Sequence, residues 1–83
     1  MSAAERFEEL SSELDSLADR LGDLAMDILR EGLAGASEQA AVAATKREKM
    51  VNRARSAVVR AAALLERAAD ESPEGASEDD FAS

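Results

Sequence analysis

The sequence predicts an all-α fold: one long antiparallel two-helix hairpin, coiled-coil-like, that dimerises into a four-helix bundle and ends in a disordered acidic C-terminal tail. Three observations carry that expectation. Apolar residues step by three and four from residue 7 to residue 28. Gly32, Gly35 and Ser37 interrupt the pattern at mid-chain, and the same stepping resumes from residue 40 to residue 68. The expected organisation is a hairpin over residues 1–70, with helices at about 3–33 and 38–70, a turn at 34–37, and a tail over 71–83.

The first helix starts on Ser2 and Glu5, which have the spacing of a capping box: the serine oxygen takes a free amide and the glutamate reaches back. Phe7, Leu10, Leu14, Leu17, Leu21, Leu24 and Ile28 then form a heptad seam. Gly32 and Gly35 would supply the left-handed conformation that commonly ends a helix.

For the second helix, Ser37 is the N-cap and Glu38 puts an acid in the first turn, where the helix dipole favours it. Alanine, the best helix former, dominates from there. The stepping residues are Ala40, Ala43, Arg47, Met50, Ala54, Ala57, Ala61, Leu64 and Ala68. Pro73 biases Ser72 away from helix, and the Glu, Asp, Ser and Gly that follow cannot build a core.

In an antiparallel hairpin, facing residues have a constant sum of numbers. A sum of 71 centres the turn on Gly35-Ala36 and sets Leu10 against Ala61, Leu14 against Ala57 and Leu17 against Ala54. Large residues then meet small ones. Arg47 opposite Leu24 is the one misfit, expected to pack its stem and keep its head in water near Asp23 or Asp27.

The apolar stripe is wider than one partner helix needs. A further row on each helix, Ala18, Ala25, Leu29 and Leu33 with Ala44, Val51, Val58 and Leu65, is the candidate subunit contact of a homodimer. An alanine-rich chain of 83 residues has a thin core, which is a second reason to expect self-association.

The net charge of −8 is segregated: residues 1–33 carry net −6, residues 38–69 net +4 and residues 70–83 net −6. Lys46, Arg53, Arg60 and Arg67 recur every seven residues, with Lys49 alongside, as an anion- or partner-binding stripe. Its first reading is pairing with Glu9, Glu13, Asp27 and Glu31, because oppositely charged edges beside a seam select partner and orientation. Its second is a phosphate-tracking surface. Overall acidity and the absence of stacking aromatics on this helix weigh against nucleic acid without removing it. In the tail, Asp79, Asp80 and Phe81 could form a short acidic-aromatic motif.

The chain has no histidine, cysteine or tyrosine. Ser-His-Asp and Cys-His nucleophiles, and zinc sites built on nitrogen or sulfur, are therefore out of reach. The plentiful acids read as a solvated face, so no catalytic residue, metal or cofactor is expected. No long apolar run calls for a membrane span, and no basic-then-apolar leader is seen, so the expected location is the cytoplasm. The expected function is a non-catalytic interaction or oligomerisation module: a small scaffold, adaptor or regulatory subunit. The alternatives are a nucleic-acid-associated factor and an antitoxin- or inhibitor-type partner of another protein.

Overall fold

The computed structural model describes residues 2–35 and 37–71. Two helices make up the described chain, α1 over Ala3–Ala34 and α2 over Glu38–Asp70, and they pack against each other as an antiparallel hairpin. Helix stop and start fall within one residue of the expected positions. The tail motif at Asp79, Asp80 and Phe81 lies outside the described residues.

Local chemistry accounts for both helix starts. Ser2 Oγ accepts from the Glu5 amide at 3.2 Å, while the Ser2 amide donates to Glu5 Oε1 at 3.2 Å and its hydroxyl donates to the same oxygen at 3.0 Å. Both halves of the capping box are thus made. The Ser2 backbone amide, and then its hydroxyl, hold the Glu5 carboxyl below its usual pKa. On α2, Ser37 Oγ accepts from the Ala40 amide at 3.0 Å.

The end of α1 departs from expectation. No described glycine has a positive φ, and Gly35 is extended at φ −69°, ψ 153°. Its amide still donates to the carbonyls of Glu31, at 3.1 Å, and Gly32, at 3.3 Å. Gly32 is therefore not a left-handed cap. It is buried inside the helix, where a Cβ would collide with the Ala44 methyl. The glycine lets the helices approach just before the turn.

The register of 71 is also corrected. It would set Ser11 against Arg60 and Gly32 against Gln39. Instead the Ser11 hydroxyl donates to the Ala62 carbonyl at 3.4 Å, and Gly32 lies on Ala44. The helices meet through their smallest residues. Ser11, Ala18, Ala25 and Gly32, each seven from the last, are buried on α1 together with Ile28. Ala44 and Ala62 are buried on α2. Phe7, Leu14 and Leu21 stay half-buried beside them. Small side chains allow the backbones to approach, and close approach recovers dispersion contacts that a leucine seam would hold apart. Arg47 is exposed and, near the turn, lines a groove between the helices with Ile28, Gly32 and Ala44 rather than standing in a buried layer.

Candidate functional site

The shift of seam changes which residues are left over. Of the eight residues of the candidate subunit contact, Ala18, Ala25 and Ala44 are already buried inside the hairpin. Leu29, Val51, Val58 and Leu65 are half-buried, and Leu33 is open to solvent. Most of that row belongs to the contact between α1 and α2, because a wide apolar stripe offers two edges and the small-residue edge packs closer.

Part of the row that resembled a seam is left uncovered, while Met26, Leu33, Val42 and Val59 are exposed elsewhere on the two helices. Leu10, Leu17 and Leu24 keep 47%, 39% and 45% of their area exposed, and Met50 and Leu64 keep 65% and 56%. These residues share one side of the hairpin. A groove near the turn is lined by Ile28 and Glu31 from α1 and by Ala43 and Arg47 from α2. Glu31 stands seven residues after Leu24, in the row of Leu10, Leu17 and Leu24. Ala43 stands seven before Met50, in the row of Met50, Ala57 and Leu64. Residues seven apart on a helix face nearly the same way. The two rows therefore run along the same face, about two helices wide.

Charge borders this face. Lys46 lies beside Ala43 in one shallow groove, and Arg53 and Arg60 lie beside Ala57 in another. Lys46, Lys49, Arg53, Arg60 and Arg67 are all exposed. None has an acid of α1 within ion-pair distance; the pair formed in the helices is Arg30–Asp27, at 3.3 Å within α1 itself. The expected pairing of the stripe with Glu9, Glu13, Asp27 and Glu31 is thus absent within one hairpin.

The opposite side of the hairpin is more polar. Arg55 lies across Gly22, its guanidinium nitrogen 3.5 Å from where a Cβ would stand. Half-buried Glu48 accepts from the Asn52 side-chain amide. At the open end, Glu5, Glu8, Asp15, Glu66 and Asp70 rim a cleft of about 660 Å³. Among the described residues, no group of three or more acids is arranged to hold a metal ion, and no helix is long and apolar enough to cross a membrane.

Compared with models of known protein families, with curated proteins and with solved structures, the chain matches none.

Proposed function

We propose that this protein is a non-catalytic interaction module that self-associates into a four-helix bundle, serving as a small scaffold, adaptor or regulatory subunit. The observation that supports this reading is the leucine face. Isolated exposed leucines are ordinary, but a two-helix-wide row of five large apolar residues marks a contact surface. Covering three leucines that stand nearly half exposed regains about 1 kcal/mol each, and a second copy doubles the gain. Self-association also supplies the thicker core that a two-helix chain lacks.

Sedimentation equilibrium from low to high micromolar concentration tests the proposal. The wild type is expected to approach twice the chain mass, and Leu17→Glu, which puts a carboxylate into the covered face, is expected to remain at the single-chain mass with its helicity retained. A wild type that stays monomeric throughout, with Leu17→Glu melting at the same temperature, overturns it.

A second reading rests on the basic stripe, whose side chains have no acid of α1 in reach. A nucleic-acid-associated factor would bind generic DNA or RNA with an affinity that falls steeply as salt rises. An absence of binding at low salt removes that reading.

A further inference from the structure

The two charged rows that fail to pair within the hairpin both border its leucine face, one at each outer edge. Glu13 stands four residues before Leu17, and Asp27 three residues after Leu24, with Glu9 and Glu31 a turn away on the same flank. Arg53, Arg60 and Arg67 stand three residues after Met50, Ala57 and Leu64. The α1 edge carries four acids, Glu9, Glu13, Asp27 and Glu31, against two bases, Arg6 and Arg20. The α2 edge carries five bases, Lys46, Lys49, Arg53, Arg60 and Arg67, against one acid, Glu38, which shares a groove with Lys46. The hairpin's own width separates the two edges.

We infer that a second copy docks with its twofold axis parallel to the helices, so that α1 of each chain lies against α2 of the other. This rests on the self-association proposed above and specifies its geometry. A twofold along the helices leaves every residue at its own height, so facing residues follow the hairpin's register. That register sets Ser11 near Ala62, Gly22 near Arg55 and Gly32 near Ala44. By the same spacing, Leu17 is level with Ala57 of the second copy, Leu10 with Leu64 and Leu24 with Met50. The central layer then alternates leucine and alanine around the bundle, which packs evenly. Glu13 comes level with Arg60 of the second copy and Asp27 with Lys46, while Glu9 stands about two residues from the level of Arg67.

The competing geometry has its twofold across the helices, setting α1 on α1 and α2 on α2. That places five bases against five bases along one edge. Opposite signs at facing edges favour a pairing, and like signs select against it. The parallel twofold is not free of conflict, since Arg20 comes level with Arg53 of the second copy, and Arg6 with Arg67. Those two positions make the geometry testable.

Two experiments at low salt decide it, and the cysteine-free chain makes the second, a disulfide test, clean. Arg20→Glu converts a like-charge contact into an attractive one at two symmetric places, so dimer dissociation is expected to tighten roughly fivefold, while Glu13→Lys loosens it by a similar factor. In the competing geometry Arg20 meets Glu13 of the other chain, and Arg20→Glu would weaken association instead. For the second experiment, an oxidised mixture of Leu17→Cys and Ala57→Cys chains is expected to give a mixed disulfide. Leu17→Cys alone is expected not to link to itself, because the two copies of that residue sit on a diagonal, beyond the roughly 7 Å Cα separation a disulfide tolerates. A dimer that persists while Leu17→Cys links to itself, or that weakens with Arg20→Glu, overturns this geometry and leaves self-association standing. A wild type monomeric in sedimentation removes both.

Discussion

Residues one step apart on α1 divide between two faces. Ser11, Ala18 and Ala25 are buried against α2, whereas their immediate predecessors Leu10, Leu17 and Leu24 keep two-fifths to half of their area in solvent. Hydrophobicity alone would reverse the assignment. The difference shows that the hairpin selects its inner contact by how closely the backbones can approach, and leaves the larger apolar groups outside. A face rejected by the hairpin on steric grounds is then available to something else.

The comparison breaks most readily at its tight side. Enlarging the buried row with Ala18→Leu should destabilise the hairpin by about 2–3 kcal/mol through overpacking, and thermal melts should show the loss at every protein concentration. A tolerated leucine would mean the seam is looser than its burial implies. The leucine row behaves differently, because its substitutions should act mainly through association and fade on dilution.

Glycine sharpens the contrast at intermediate size. Gly32→Ala and Gly22→Ala bring the same gain in helix propensity, about 1 kcal/mol. At Gly32 the added methyl meets Ala44 head-on, so the net effect should be a loss of about 1–2 kcal/mol. At Gly22 the added carbon reaches only the flexible end of Arg55, at ordinary contact distance, and the propensity gain should survive. Denaturant midpoints of opposite sign for the two variants are the expected result; a gain at both would show that Gly32 has room for a methyl, and a loss at both that Gly22 is also in tight contact.

The smallest effect lies away from both faces, at the first turn of α1. The Glu5 carboxyl is held below its usual pKa by Ser2, so its contribution is complete above the unfolded-state value of about 4.3. It is lost as pH falls through the lower folded value. The stability gap between wild type and Glu5→Ala should therefore be present at neutral pH and close below about pH 4. A gap unchanged in acid would detach it from the ionised capping box.

Much of this fold can be read from residue types alone. Ser2, Glu5 and Ser37 mark the helix starts because only side chains with an oxygen at that reach can satisfy free amides. The break between helices is visible in Gly35 and Ser37. The inner face is not legible in the same way. Phe7, Leu14, Leu21 and Ile28 belong to either seam, and the choice between the Leu10 row and the Ser11 row depends on how the facing helix fills the space. Periodicity cannot resolve two adjacent edges of one wide stripe. Gly32 carried the needed signal, since a glycine at heptad spacing from Ala18 and Ala25 marks a line of close approach. The basic stripe was visible from its seven-residue spacing, but its lack of acid partners within the hairpin appears only once the width between the helix edges is known.

A seam built from alanine, serine and glycine has a thermodynamic signature of its own. Among the described residues the buried apolar side chains are Ile28 and four alanines, so melting an isolated hairpin would uncover little new apolar surface. Heat capacity change and denaturant sensitivity both scale with that surface. The isolated hairpin should therefore have a shallow stability curve and a broad transition that varies little between cold and warm. Pairing of two hairpins through their leucines would steepen that curve, giving the chain a sharp melting point that it does not have alone.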